Sequence, residues 1–203
     1  MYFYECCCFG VIFLQNNCTR EIDGETKRSL LKMEIFGAIF VIIAATVLHF
    51  LYELSSRAVW AALFAAVNES VWEHLKIFSL PYVFWGFVEL ACVRMPFKKF
   101  VTAKVFGLYF LLLAIPMFFY SYTGLLGRNI MEVDIASGFV FTVLAFWVSY
   151  SLTVKAQCIE RYYKAALVML AVYYLMAAYF STVPPHIFLF IDPVTGGYGI
   201  PMR

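Results

Sequence analysis

Charge is what this chain has least of. Only 14% of its 203 residues are Asp, Glu, Lys or Arg, and 64% are hydrophobic, whereas ordinary soluble domains carry about 25% charged residues. A water-soluble globular fold is therefore the wrong expectation. The formal net charge of +2 is too small for a nucleic-acid surface, so no nucleic-acid partner is expected. Neither paired C-x-x-C nor H-E-x-x-H occurs, which removes the familiar zinc and metalloprotease fingerprints. The six cysteines lack the spacing of a disulfide framework: Cys6, Cys7 and Cys8 are adjacent, and Cys18, Cys92 and Cys158 are scattered. The adjacent three leave lipidation or a soft metal as options. The first fourteen residues are apolar but carry Glu5 and lack the basic start and small-residue cleavage site of a signal peptide. No internal repeat is visible, which counts against an inverted-repeat carrier.

What is present is apolar length. Mean hydropathy is +0.82, and a spanning helix needs about 20 predominantly apolar residues. Five segments qualify, at about 35–54, 70–93, 101–120, 135–154 and 165–182. The expected fold is thus an all-α, polytopic integral membrane bundle. Residues 57–67 are apolar but too short to cross, and read as a re-entrant or interfacial half-helix. Residues 1–32 read as a poorly structured lead, or as sequence upstream of a later start such as Met33; residues 33–203 read as one membrane-embedded domain.

Basic residues set the orientation. Arg20, Lys27, Arg28 and Lys32 precede the first span; Arg94, Lys98, Lys99 and Lys104 follow the second; Lys155, Arg161 and Lys164 follow the fourth. These are eleven of the 15, and cytoplasmic loops are the ones enriched in Lys and Arg, so the N-terminus is expected inside and the C-terminus outside.

Polar residues inside such a chain are costly, roughly 2.5–3.5 kcal/mol for a charge at mid-span. They concentrate at 68–76, which reads Asn-Glu-Ser-Val-Trp-Glu-His-Leu-Lys. Ser70 and Glu73 have the spacing of a capping box, and Glu69, Glu73 and Lys76 are expected on one helix face. With the spans alternating, His49, His74 and His186 fall at the outer end, together with Glu53, Glu69, Glu73, Glu132, Asp134 and Asp192. His49 and Glu53 are spaced i,i+4 and are the candidate metal ligands, for a divalent ion. Glu73 and His74 are the candidate general acid and base. Asn68, Glu69, Trp72, Lys76, Tyr122, Asp134, His186 and Asp192 are the candidate binding residues around them. Glu89 points away from this set and is expected to pair with Arg94 at the cytoplasmic side. Pro81 and Pro116 should kink their spans. Pro184-Pro185 ends the last span, and residues 192–200 have the composition of consecutive tight turns, a lid over the outer mouth.

These motifs resemble a family. Residues 68–76, Tyr120-x-Tyr122-Thr123-Gly124, Asp134-Ile135, Pro184-Pro185 and Asp192-Pro193-x-Thr195-Gly196-x-Tyr198-Gly199-Ile200 are similar to signature positions of small prokaryotic multi-spanning proteins classed only as a domain of unknown function. The resemblance runs from about residue 31 to 200. It implies a multi-pass membrane protein of this layout and supplies no activity or cofactor. Three readings stand: an enzyme acting on a membrane lipid or lipid-linked substrate, a transporter or binding subunit for an ion or small solute, and a structural or accessory protein.

Overall fold

The computed structural model describes residues 22–200. Five long helices alternate in direction: α1 (Gly24–Leu54), α3 (Val71–Cys92), α4 (Phe97–Leu126), α5 (Met131–Lys155) and α6 (Tyr163–Thr182). A single turn, α2 (Val59–Ala62), lies between α1 and α3, and two 3-10 turns, Ile159–Tyr162 and Phe188–Phe190, flank α6. All five long helices, α6 with its leading 3-10 turn, are long and apolar enough to span a membrane. The expected polytopic bundle is what the chain forms.

Two boundaries move. Residues 24–32, expected in the lead, are the first turns of α1, and Leu30 there is fully buried. Asp23 starts that helix by accepting from the backbone of Glu25 and Thr26, both at 2.9 Å. The Thr26 backbone bond foremost holds the Asp23 carboxyl below its usual range. The rest of the lead lies outside the described residues. The expected half-helix at 57–67 is only one helical turn, preceded by Ser56 and Arg57 in the left-handed region (φ 56° and 60°). Ala61, Ala62, Ala65 and Val67 pack inward against Tyr52 while Val59, Trp60, Leu63 and Phe64 stay exposed.

Helix α1 shows how the bundle divides protein from lipid. Gly37, Ala38, Val41 and Ala45 face inward, and Phe36, Ile39, Ile43, Val47 and Phe50 face outward. The small inner residues permit close approach: a Cβ on Gly37 would lie 2.4 Å from the Trp85 ring. Trp85 in turn donates to the Met33 carbonyl at 2.9 Å. Helix α1 packs on α3 and α5, and α4 packs on α3, α5 and α6. Helix α3 continues through Pro81, and donors gather in the preceding turn: Ser79 to the Lys76 carbonyl, Tyr174 to the Ser79 carbonyl, and Tyr173 to Leu75. Cys92 is a free, exposed thiol, whereas Cys158 is disulfide-bonded, which the cysteine spacing did not announce.

Candidate functional site

Because the helices alternate, the end of α1, the start of α3, the end of α4, the start of α5 and the tail after α6 meet at one end of the bundle. Here the 68–76 segment divides between two environments. Ser70 is the N-cap of α3, and its hydroxyl accepts from the Glu73 N–H at 3.4 Å. The reciprocal half of the capping box is absent. Asn68 Oδ1 takes the Ser70 N–H instead, at 2.9 Å, which frees the Glu73 carboxylate to turn inward.

Glu73 and Lys76 form an enclosed pair at 2.7 Å, with both side chains 4% exposed or less. Glu73 Oε2 accepts from the Val67 N–H at 3.1 Å, and Lys76 Nζ donates to the Ala62 carbonyl at 2.7 Å and to Ser181 Oγ at 2.9 Å. The pair thus satisfies backbone groups of the 62–67 loop, which has no helix to satisfy them itself. Expected as a catalytic group and a binding group in the outer pocket, Glu73 and Lys76 instead close a clamp inside the bundle.

His74 is one residue on, about 100° further round the helix, and faces α1. Glu69 precedes the N-cap, so helical spacing does not govern it. Contrary to expectation it does not share a face with Glu73 and Lys76. It lies between two imidazoles: Glu69 Oε1 is 3.7 Å from His49 Nε2, and Glu69 Oε2 is 3.6 Å from His74 Nε2. One ligand atom from each of His49, Glu69 and His74 lies within 4.8 Å of the others, a geometry that can hold a metal ion. His74 Nδ1 is 2.9 Å from the Ser70 carbonyl. That contact calls for a proton on Nδ1, so that in the neutral imidazole Nε2 carries the lone pair, the usual arrangement behind a ligating histidine. Asp134, at the start of α5, interacts electrostatically with His74 and accepts a hydrogen bond from the Tyr122 hydroxyl. The Ile130 N–H donates to the same Tyr122 oxygen at 3.1 Å.

Glu53 is not part of this cluster. Its carboxylate pairs with Arg57 at 3.1 Å on the exposed surface, because the left-handed backbone at 56–57 folds Arg57 back over the last turn of α1. The expected His49–Glu53 ligand pair is therefore replaced by His49 with Glu69 and His74.

The tail docks on the start of α3. Asn68 Nδ2 donates to the Gly199 carbonyl at 2.8 Å, and Trp72 packs on Phe190 at 4.8 Å between centroids. Asp192 closes its own turn, accepting from the Val194 N–H and Thr195 Oγ1, both at 2.8 Å. His186 stacks on Tyr198. Among the described residues no contact joins His186 or Asp192 to the His49–Glu69–His74 cluster, so these two organise the tail.

A second charged cluster lies at the opposite end. Glu89, expected beside Arg94, pairs instead with Lys104 at 2.6 Å, and Lys104 also binds Glu34 at 2.8 Å. Lys104, counted above with the loop cations, is a buried residue of α4. The sequence signal for this cluster was a Glu and a Lys each one or two turns inside an apolar span.

The fold and its buried ion pairs define the class: a multi-pass helical membrane protein. Residues 23–200 match the family of unknown function DUF6512, and the chain belongs to that family. Comparison with curated proteins and with solved structures gave no match.

Proposed function

We propose that this protein binds one divalent cation, zinc by preference, through His49, Glu69 and His74, and hydrolyses a membrane lipid or lipid-linked substrate there. The observation that carries this reading is the spacing of the three ligand atoms. One ligand atom from each residue lies within 4.8 Å of the others, and each imidazole nitrogen faces its own Glu69 oxygen, at 3.7 and 3.6 Å, while zinc bonds of about 2.0–2.1 Å give tetrahedral edges of about 3.3 Å. A small inward shift of half-exposed side chains closes the site. Two histidines and one carboxylate leave a fourth position for water, and a zinc-bound water ionises near neutrality to a nucleophile. We assign acceptance of the proton to Asp134, which interacts electrostatically with His74 and accepts a hydrogen bond from Tyr122.

Two features favour hydrolysis at this face over passage through the bundle. Phe78, Leu108, Leu111 and Phe146 fill the core between the two charged clusters. The exposed Val59, Trp60, Leu63 and Phe64 of the adjoining loop offer an apolar surface for acyl chains. The basic loops at the opposite end support an extracytoplasmic position for the metal site.

The test is elemental analysis of detergent-purified protein after zinc equilibration and desalting, followed by turnover of fluorogenic ester and phosphoester lipids. About one zinc per chain is expected, lost in His74→Ala and in Glu69→Gln but retained in Glu53→Gln, with chelator-sensitive turnover following the metal. Wild-type protein without zinc overturns the site. Stoichiometric zinc with no turnover on either lipid class overturns the hydrolase and leaves a metal-binding protein.

A further inference from the structure

The cluster at the other end of the bundle is independent of the metal reading. Glu34 of α1, Glu89 of α3 and Lys104 of α4 are 3%, 0% and 5% exposed. Lys104 Nζ sits between Glu34 Oε2 and Glu89 Oε2, at 2.8 and 2.6 Å. Ser149 of α5 donates to Glu34 Oε1 at 2.9 Å. The ammonium also lies 4.2 Å from the centroid of Phe146 and 4.9 Å from that of Tyr82. The groups facing the two carboxyls are thus Lys104, Tyr82 and Ser149, and the charges acting on each carboxyl are those of Lys104 and of the other carboxyl.

One cation facing two carboxylates does not balance. With both ionised, a net negative charge would sit in an apolar core, where no water or counter-ion offsets it. Both carboxyls approach the same ammonium, at 2.8 and 2.6 Å, and two acids held that close in an apolar site do not both ionise. Glu34 has donors from both Lys104 and Ser149. Neither oxygen of Glu89 has a hydrogen-bond partner, although Oε2 lies beside the Lys104 ammonium.

We infer that Glu34, Glu89 and Lys104 form a proton-binding site, in which Glu89 carries one exchangeable proton while Glu34 stays ionised beside the Lys104 ammonium. The proton completes the charge balance of the point where α1, α3, α4 and α5 meet. Its loss leaves two like charges in contact and pushes α1 and α3 apart. An apolar cleft lined by Val83, Gly86, Phe87 and Phe100 reaches Lys104.

Infrared spectroscopy of the full-length protein in detergent, with carboxyl-labelled glutamate, tests this directly. A protonated glutamate carbonyl band is expected at neutral pH, shifted by deuterium exchange and absent in Glu89→Gln. Thermal unfolding gives the second readout. The folded state binds one more proton than the unfolded state near neutrality, so wild-type stability falls as pH rises. Glu89→Gln removes that slope and keeps the neutral-pH Tm, while Lys104→Met lowers Tm throughout; zinc content is unchanged in both. If wild-type protein shows no acid band, both carboxyls are ionised and the inference fails, whether or not the variants fold. A Glu89→Gln variant as unstable as Lys104→Met overturns it equally.

Discussion

Asn68 Nδ2 donates to the Gly199 carbonyl at 2.8 Å, joining positions 131 residues apart. Its other amide atom accepts from Ser70 and starts α3. One side chain therefore fixes both the tail and the turn that carries Glu69, the next residue. The two most distinctive motifs of the sequence are halves of one contact, and the tail acts on the candidate metal site by holding the loop from which Glu69 projects.

Asn68→Ala removes both bonds at once. The expected cost is about 1–2 kcal/mol, the range for losing a cap together with a partly buried hydrogen bond. Hydrogen exchange should rise at 191–199 and at the start of α3, and zinc affinity should fall without being abolished. Unchanged exchange in the tail would show that Trp72 and Phe190 suffice to dock it.

Lys76→Met leaves the Glu73 carboxylate buried without its partner, and breaking such a pair typically costs about 3–5 kcal/mol. Thermal unfolding in detergent should show this loss, with zinc stoichiometry intact in the protein that remains folded. The double variant Glu73→Gln, Lys76→Met should recover part of the loss, since neither isolated charge remains. Loss of zinc in Glu73→Gln at unchanged Tm would instead return Glu73 to the site.

Gly107 marks a close approach of α4 to its neighbours. A Cβ there would lie 2.3 Å from the Tyr82 hydroxyl and 2.7 Å from the Ala145 carbonyl. Backbone cannot yield cheaply, so Gly107→Ala should destabilise by about 1–3 kcal/mol. At Gly124, in the same helix with nothing within 4 Å, the same change should be neutral or slightly stabilising. Equal Tm for the two variants would contradict the packing.

Zinc binding by His49 and His74 requires neutral imidazoles, so acid should release the metal. Occupancy measured against a competing chelator should fall as pH drops from about 7.5 to about 5.5, because protons compete with the metal for the imidazole nitrogens. A profile flat across that window would exclude histidine ligation.

Cys92, exposed and free at the C-terminal end of α3, is a built-in reporter of the proposed orientation. An impermeant thiol reagent supplied from outside intact cells should miss it and label Leu125→Cys, at the end of α4, in a Cys92→Ala background. The reverse pattern would invert the proposed orientation.

Much of the architecture was written in the sequence because membrane insertion is a local matter: apolar length decides whether a segment spans, and the parity of spans decides which ends meet. That alone placed His49, His74 and Asp134 at one end of the bundle, and Glu89 at the other. Partner choice was not legible. Helical spacing gives a residue's direction about its own axis, and Glu53 and Glu69 escaped even that, the first through Arg57 folding back on a left-handed turn, the second by standing outside the helix. Nor does spacing give the rotation of one helix against the next, and in a chain apolar on nearly every face the pattern separates lipid-facing from protein-facing surface only weakly. Glu69 between two histidines, and Lys104 between Glu34 and Glu89, were decided by how α1, α3, α4 and α5 pack. Glu34, Glu89 and Lys104 take the opposite charges that the packing brings within about 3 Å, because the membrane interior supplies no water in their place.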